Sequence, residues 1–170
     1  MLVQCKMSFS SGQLYYNIRD MEKTDYKELN AMLASITEGV PYTMTNLANA
    51  SALLFEKLSD INWAGFYTIK DSKLVLGPFQ GKVACTIIQI GKGVCGAAVA
   101  TDSTQLVPDV HKFPGHIACD SASNSEIVIP MHRNGEVFGV LDIDSPVFDR
   151  FSEEDRKGLE AFVRILEEVI

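Results

Sequence analysis

Apolar residues recur at helical spacing near both ends of the chain. In residues 25–38 they fall three and four positions apart, which predicts an amphipathic helix. A second helix is expected from Pro41 to about Leu58, and a third after Ser152, which forms a capping pattern with Asp155. The apolar positions are Tyr26, Leu29, Met32, Leu33 and Ile36 in the first helix and Leu159, Phe162, Val163, Leu166 and Ile170 in the last.

Between the second and third helices, the apolar pattern becomes that of β-strands. The predicted strands are residues 61–70, 73–79, 85–90, 105–110, 125–133 and 136–145. The last two flank Asn134-Gly135, which is typical of a hairpin. Helices followed by a mostly antiparallel sheet and a closing helix predict an α+β fold. We expect the terminal helices to pack together on one face of the sheet, although their apolar stripes would serve a partner subunit equally well.

Two aspartates share a face of the last predicted strand with apolar residues. Strand alternation places Phe138, Val140, Asp142 and Asp144 on one side of residues 136–145. Acids beside an apolar run are unusual on a core-facing strand, so this face is either a solvated edge or part of a site. Whether a third acid joins them depends on the register of the hairpin.

The hairpin register determines whether Glu126 reaches the two aspartates. A two-residue turn would place Glu126 opposite Ile143, on the wrong face. A three-residue loop with a left-handed Gly135 would place it opposite Asp142 instead. A bulge near Pro130 would have the same effect on the face. Turn statistics favour the two-residue turn, but we predict that Glu126 converges with the aspartates.

Trp63 and Tyr67 share one face of the first predicted strand, and Gly65 between them leaves room. The two rings are either ordinary core aromatics or the walls of a slot for a small apolar group. A sulfur-bearing group would suit such a slot, because contacts between sulfur and aromatic rings are favourable.

The chain has 170 residues, 46% of them hydrophobic, and a formal net charge of −7. This size predicts one domain, which we place at residues 13–170 after a disordered tail at residues 1–12. The negative charge argues against binding to nucleic acid or to an anionic membrane surface. No segment matches a secretory signal or a membrane span, so we expect a cytoplasmic protein, in which permanent disulfides are rare.

Three of the four cysteines, Cys85, Cys95 and Cys119, fall in one short stretch of the chain. Cys85 opens a predicted strand, where a cysteine commonly packs in the core. Cys95 and Cys119 lie in segments containing Gly or Pro, where we expect accessible and mobile thiols. Such thiols suit redox chemistry, in which a thiolate attacks, becomes a sulfenic acid and then forms a disulfide.

Two other kinds of site fit the sequence less well. Residues 91–96, GKGVCG, match a dinucleotide-binding glycine pattern, but the helix that would follow is too short, so we predict a flexible loop carrying Cys95. Residues 111–120, HKFPGHIACD, include two histidines, a cysteine and an aspartate that could ligate a metal. The cysteines lack the close pairing typical of structural zinc sites, so the metal interpretation is disfavoured.

Six motifs along the chain together resemble one protein family. They are NWAGFY, GPFQGKVAC, GKGVCG, FPGHIACD, SASNSEIVIP and VLDIDSP, in that order. From about residue 20 to the C-terminus, the chain is similar to the free methionine-(R)-sulfoxide reductases, which are single GAF domains. The resemblance implies a central antiparallel sheet with helices on its faces, often in a homodimer. It also implies thioredoxin as reductant and no metal or bound cofactor. Cys5 lies outside the pattern.

The resemblance further implies the roles of the site residues. Cys119 would be the nucleophile, and Cys85 and Cys95 would be the resolving thiols. Five other side chains would line the substrate site, with the aromatic pair at the methyl end of the substrate. They are the acids Glu126, Asp142 and Asp144 and the aromatic residues Trp63 and Tyr67.

The implied activity is the reduction of free methionine (R)-S-oxide to methionine. The departing oxygen needs a proton, and we expect Glu126 to supply it, because crowding with two other acids raises one pKa. Asp142 and Asp144 would then bind the ammonium group of the substrate. Backbone N–H groups of residues 117–122 would bind its carboxylate.

The sulfenic acid formed on Cys119 must be resolved by a second thiol. We expect Cys85 to act first and Cys95 to exchange outward with an external dithiol. The competing interpretation is a GAF sensor that binds a small molecule without catalysis. Thiol-dependent turnover of free methionine sulfoxide distinguishes the two.

Overall fold

The computed structural model describes residues 24–115 and 121–170. In chain order its elements are α1 Tyr26–Thr37, α2 Thr43–Lys57, β1 Trp63–Lys70, β2 Lys73–Gly81, β3 Ile87–Gln89, α3 Gly93–Thr101, β4 Gln105–Val107, a 3-10 turn at Val110–Lys112, β5 Ser125–Arg133, β6 Glu136–Ser145 and α4 Glu153–Glu167. The predicted tail at residues 1–12 and the start of the domain at residue 13 lie outside the described residues. Within the described ranges, none of the helices is long and apolar enough to cross a membrane.

The strands form one sheet of six, in the order β3-β2-β1-β6-β5-β4. Each neighbouring pair in this sheet is antiparallel. The predicted α+β class is therefore confirmed. The topology also agrees with the rejection of a dinucleotide-binding unit, because that unit needs parallel strands joined by a crossover helix.

Helices α1, α2 and α4 cover one face of the sheet. Leu33, Leu54 and Phe162, one from each helix, join Phe66 and Leu141 of the central strands in one buried cluster. Full burial of side chains of this size stabilises the fold by about 1.5–3 kcal/mol each. This layer anchors the central strands. The acidic residues of those strands lie on their opposite face.

The terminal helices α1 and α4 pack together, as predicted. The Tyr26 hydroxyl donates to the Asp155 carboxylate at 2.7 Å. The Tyr26 ring lies over Gly158, where an added Cβ would collide with it. Ser152 and Asp155 form the predicted capping box at the start of α4. Asp155 therefore both caps this helix and binds it to α1.

Helix α3 lies on the opposite face, where the sequence predicted a flexible loop. It packs against β5 and β6 and is built largely from small residues. These residues permit a close approach, since a Cβ on Gly96 would collide with the carbonyl oxygen of Gln89. Glycine has a low helix propensity, which is why the sequence predicted a loop. The prediction was wrong because packing of this segment against the sheet outweighs that propensity. Cys95 consequently lies in the first turn of a helix.

The β5–β6 hairpin combines a two-residue turn with a bulge. Arg133 pairs with Glu136 across Asn134-Gly135, whose φ angles of 56° and 82° are both left-handed. The register then shifts between Met131 and His132. The prediction of a three-residue loop is therefore wrong. The alternative, a bulge near Pro130, is present.

This bulge places Glu126 on the face of the two aspartates, as predicted. Glu126 lies opposite Asp144, however, and not opposite Asp142. Phe138 is the extra residue in β6, and it packs against the helix-covered core. The predicted placement of Phe138 beside Val140 is wrong, because an inserted residue reverses the alternation of the strand beyond it.

Candidate active site

Three residues from neighbouring central strands form a row across the sheet. Trp63 of β1 pairs with Asp144 of β6, and Asp144 pairs with Glu126 of β5. Asp142 lies in the next row on the same face, opposite Gly65. Directly opposed residues have Cβ atoms about 5 Å apart, so strand pairing alone brings three acids and an indole together.

Burial sets the charge of these acids. Glu126 and Asp142 are only 6% and 7% exposed. Burial, followed by the charges of Asp142 and Asp144, raises the pKa of Glu126 well above its usual range. Burial also raises the pKa of Asp142 to about 6, while hydrogen bonds with Cys95 and Glu126 oppose that rise. Burial and the neighbouring carboxylates thus favour the protonated form of Glu126 beside Asp142.

Cys95 reaches this cluster from the first turn of α3. Its Sγ donates a hydrogen bond to Oδ2 of Asp142 at 3.2 Å. Cys95 is only 4% exposed, and burial followed by the nearby carboxylates raises the pKa of its thiol well above the ordinary value. The accessible, mobile thiol expected from the sequence is instead a buried, protonated donor that holds one oxygen of Asp142.

Trp63 and Tyr67 form an aromatic wall on the shared face that the alternation predicted. Their ring centroids lie 6.0 Å apart, and Phe79 stacks on Trp63 with centroids 5.2 Å apart. Gly65 leaves room for the indole, because an added Cβ would stand 2.6 Å from the Trp63 ring. Sequence reasoning missed Phe79, which reaches the wall through the pairing of β2 with β1.

The aromatic wall also holds the loop between β2 and β3. The Trp63 indole N–H donates to the Lys82 carbonyl at 3.1 Å. The Tyr67 hydroxyl donates to the Cys85 carbonyl at 2.9 Å. Cys85 is half-buried and lies two residues before β3, close to the strand start that the sequence predicted. The two bonds hold the backbone of this loop at Lys82 and at Cys85.

The acids, the aromatic wall and α3 enclose a cavity of about 40 Å³. Its lining includes Lys92 and Val94, which sequence reasoning missed because α3 was expected to be a loop. Ser123 also lines it, with its hydroxyl oxygen accepting a hydrogen bond from the Asn62 amide at 3.0 Å. The serines of SASNSEIVIP were a signal for this residue, but no role was assigned to them. A cavity of this size holds a few water molecules at most.

The cysteines differ in redox state. Cys85 is joined in a disulfide, whereas Cys95 is a free thiol. The other two cysteines of the chain, Cys5 and Cys119, lie outside the described residues. The pairing of Cys85 with Cys119 that the sequence led us to expect therefore stays a prediction.

The chain is similar to proteins of known name and to solved structures. The GAF domain model matches residues 28–170. Over 151 residues, 88% of this chain and 92% of the relative, the chain is 55% identical to the free methionine-R-sulfoxide reductase of Escherichia coli K12. It is similar to fRMsr of Staphylococcus aureus in its reduced form, with a TM-score of 0.85, 50% identity and coverage of 86% of this chain and 96% of that one.

A second solved structure is the free methionine-R-sulfoxide reductase of Neisseria meningitidis in complex with its substrate. Its TM-score is 0.82 and its identity 43%, over 84% of this chain and 86% of that one. The chain belongs to the free methionine-R-sulfoxide reductase family. Members of this family are oxidoreductases with the GAF fold, so the family and the fold inferred from the six motifs are both confirmed.

Among the residues that the structure describes, one cluster has atoms that could ligate a metal. Sγ of Cys95 and carboxylate oxygens of Glu126 and Asp142 lie within 4.8 Å of one another. Within this cluster the Cys95 thiol donates its hydrogen bond to Asp142. In the other metal candidate, residues 111–120, His111 hydrogen-bonds to an asparagine side chain, and the remaining possible ligands lie outside the described residues.

Proposed function

We propose that the chain reduces free methionine (R)-S-oxide to methionine. One observation carries the proposal: a buried carboxylic acid, Glu126, faces the same cavity as an ionised aspartate and an aromatic wall. A sulfoxide needs a proton donor for its oxygen, and an amino acid needs an anion for its ammonium group. The cavity supplies both beside a ring surface suited to sulfur.

In the first step, the Cys119 thiolate attacks the sulfoxide sulfur. Glu126 donates its proton to the sulfoxide oxygen, which is transferred to the cysteine as a sulfenic acid, and methionine leaves. The sulfur of the substrate is reduced by two electrons, and the sulfur of Cys119 is oxidised by two. Placing Glu126 in the row with Asp144 supports this role, because the neighbouring charge helps Glu126 to keep its proton near neutral pH.

In the second step, the Cys85 thiol attacks the sulfenic acid on Cys119, and a disulfide forms with loss of water. The disulfide at Cys85 supports its role as the resolving thiol. Thioredoxin then reduces the disulfide and returns both thiols.

The predicted outward exchange through Cys95 is replaced in this proposal by direct reduction at Cys85. Thiol exchange requires a thiolate that an external dithiol can reach. The Cys95 sulfur is buried, and its proton is held by Asp142. Cys95 therefore serves to position Asp142, and the exchange step passes through the half-buried Cys85.

The substrate is recognised as a free amino acid. Asp142 and Asp144 bind the ammonium group, Trp63 and Tyr67 contact the methyl end, and backbone N–H groups of residues 117–122 bind the carboxylate. A peptide-bound sulfoxide presents amides in place of both charges and leaves a buried carboxylate unpaired, which penalises it strongly.

The cavity of about 40 Å³ is far smaller than the several hundred Å³ of typical ligand pockets. We infer that its lining must move apart before a whole amino acid can enter.

The test is turnover of free methionine (R)-S-oxide with dithiothreitol, on wild type and on Cys119→Ser. The proposal predicts methionine from the wild type and none from the variant. A chain that binds the sulfoxide and releases no methionine would instead be a small-molecule sensor. Equal rates with a sulfoxide-containing peptide would contradict the assignment of a free amino acid as substrate.

A further inference from the structure

The imidazole ring of His132 lies between two carboxylates that come from opposite faces of the sheet. Its Nδ1 lies 2.9 Å from Oε1 of Glu167, the last residue of α4. Its Nε2 lies 2.8 Å from Oδ1 of Asp102, the residue that caps the C-terminus of α3. Helices α4 and α3 cover opposite faces of the sheet, so one side chain of β5 connects both layers.

These contacts require a protonated ring. A neutral imidazole has a single N–H and would turn the lone pair of its other nitrogen towards a carboxylate, whereas an imidazolium donates from both nitrogens. Burial lowers the pKa of His132, but hydrogen bonds with Glu167 and Asp102 and the charges of these carboxylates raise it above its usual range. The residue opposite in β6 is a valine, and the Arg133 side chain donates to a threonine of α2. The two carboxylates are therefore the charged groups that these elements direct at the ring.

Helix α3 depends on polar contacts because its buried side chains are small. Its buried residues are two glycines, a valine, a cysteine and an alanine. They bury less apolar surface than the leucine and phenylalanine residues of the helices on the other face, and the energy of burial scales with that surface. In the first turn of α3 Cys95 donates to Asp142, and directly after the helix Asp102 accepts from His132. One proton thus controls the polar contact at the C-terminal end.

We propose that His132 is a proton-dependent clamp that holds α3, the movable wall of the cavity, against the sheet. The cavity of about 40 Å³ must widen before an amino acid can enter. Its acidic and aromatic walls lie on hydrogen-bonded central strands, whereas the wall formed by Gly93, Val94 and Cys95 belongs to α3. Release of α3 therefore opens the cavity without breaking the sheet.

The clamp is closed at low pH and opens as pH rises. Because the pKa of His132 is raised in the folded chain, both ring contacts are present below the usual pKa of histidine, and one is lost as pH rises through the raised value. The neutral ring keeps its proton on Nδ1, since the Glu167 oxygen that it faces is also held by the backbone N–H of His132 at 2.7 Å. The bare Nε2 then faces Asp102, and the bond to α3 is lost.

The experiment measures hydrogen exchange in the full chain by mass spectrometry, for wild type and for His132→Gln at pH 6 and pH 9. Protection of the peptide covering Gly93–Thr101 should be about fivefold lower in the variant at pH 6, through the loss of one charged hydrogen bond at a partly exposed site. The difference should disappear by pH 9, where the wild-type ring has lost its proton. Protection of α1 and α2 should be that of wild type at both values.

Asp102→Asn tests the same bond from the side of α3. Asp102 has a left-handed backbone, with φ at 46°, which asparagine also adopts, so the substitution removes the charge without backbone strain. It should lower the protection of α3 at pH 6 as far as His132→Gln does, with no further loss in the double variant. The matched control is His111→Gln, at a histidine that hydrogen-bonds to Asn124, and it should keep the wild-type protection of α3.

Equal protection of α3 in wild type and in both variants at pH 6 overturns the proposal. A loss in His132→Gln that is as large at pH 9 as at pH 6 also overturns it, because that loss would reflect packing and not the proton. So does a loss that extends to α1 and α2, which would reflect general destabilisation.

The consequence for substrate entry rests on the proposed function. Trp63 is the single tryptophan of the chain and lines the cavity, so its fluorescence reports binding of free methionine sulfoxide. In a Cys119→Ser background, which prevents turnover, His132→Gln should raise the association rate constant about fivefold at pH 6, in proportion to the loss of protection. An unchanged association rate overturns the role of α3 as the movable wall. Absence of binding in both proteins would count against the proposed function instead, since hydrogen exchange requires no substrate.

Discussion

The thiol of Cys95 donates its hydrogen bond to the carboxylate of Asp142 at 3.2 Å, inside the cavity that also contains Glu126. This contact links α3 to the central strand β6. It gives Cys95 a role that depends on its proton and not on a change of oxidation state. The charge of Asp142, and through it the pKa of Glu126, depends on this donor.

Replacement of Cys95 distinguishes a hydrogen-bond donor to Asp142 from a thiol that exchanges with the reductant. Cys95→Ser keeps a donor for Asp142 and should retain thioredoxin-supported turnover within about threefold of wild type, given the modest net value of one hydrogen bond. Cys95→Ala removes the donor, raises the pKa of Asp142 and should raise the KM for methionine sulfoxide about tenfold. Steady-state kinetics of both variants check this. A Cys95→Ser enzyme that releases one equivalent of methionine and then stops would show that Cys95 exchanges outward after all.

Replacement of Asp142 should shift the pH dependence of the reaction. Glu126 acts while protonated, so kcat/KM falls as pH rises through its pKa. The charge of Asp142 is one cause of that raised pKa, second to burial. Asp142→Asn removes this charge, lowers the pKa of Glu126 and should move the alkaline limb of the kcat/KM profile to lower pH. The measurement is the profile between pH 5 and 9, and a limb at the wild-type position would contradict the assignment.

The buried acid should also reduce the stability of the fold at neutral pH. Glu126 has a higher pKa in the folded chain than in the unfolded one, so the native state binds more protons above pH 4. Stability therefore falls as pH rises, from the unfolded pKa until the folded pKa is passed.

Glu126→Gln removes this penalty. Its Tm at pH 8 should exceed that of wild type by about 2–4 °C for each kcal/mol recovered in a domain of this size. The difference between the two proteins should vanish near pH 4, where the wild-type acid is protonated in both states. Thermal unfolding at a series of pH values checks this, and a variant less stable than wild type at pH 8 would contradict it.

Loss of the Tyr67 hydroxyl should affect resolution and not chemistry. The hydroxyl holds the carbonyl of Cys85 at 2.9 Å. Tyr67→Phe removes that bond, worth about 1 kcal/mol, and should slow disulfide formation about fivefold. Single-turnover experiments separate the steps, with methionine release expected at the wild-type rate. Slower methionine release with normal disulfide formation would instead place the hydroxyl in the first step.

Local alternation predicted the faces of the central strands well. Trp63 and Tyr67 share a face because β1 is a regular strand up to these positions, and Asp142 and Asp144 do so for the same reason. Turn statistics favoured the two-residue turn, which is present. The bulge that places Glu126 on the same face as the two aspartates depends on packing and not on the turn. Phe138 packs against the helix-covered core, and this contact favours the bulge. The sequence of the turn gives no information about that contact.

Long-range packing determined the features that the sequence did not predict. Gly93–Thr101 is rich in residues with low helix propensity, yet it is helical. Packing stabilises this helix, and Gly96 permits the close approach to the backbone of Gln89. Ser123 reaches the cavity because the fold places the segment before β5 beside it. A single-sequence pattern contains no term for such contacts, so it assigned Cys95 to a loop and left Ser123 without a role.

The most direct test of the account is the single-turnover rate of methionine release from free methionine (R)-S-oxide by Glu126→Gln, measured against wild type between pH 5 and 9. The account predicts that the wild-type rate falls towards high pH, whereas the variant is at least about 100-fold slower at pH 7 and insensitive to pH, because its amide donates no proton to the departing oxygen. A Glu126→Gln enzyme with the wild-type rate and pH profile would contradict it.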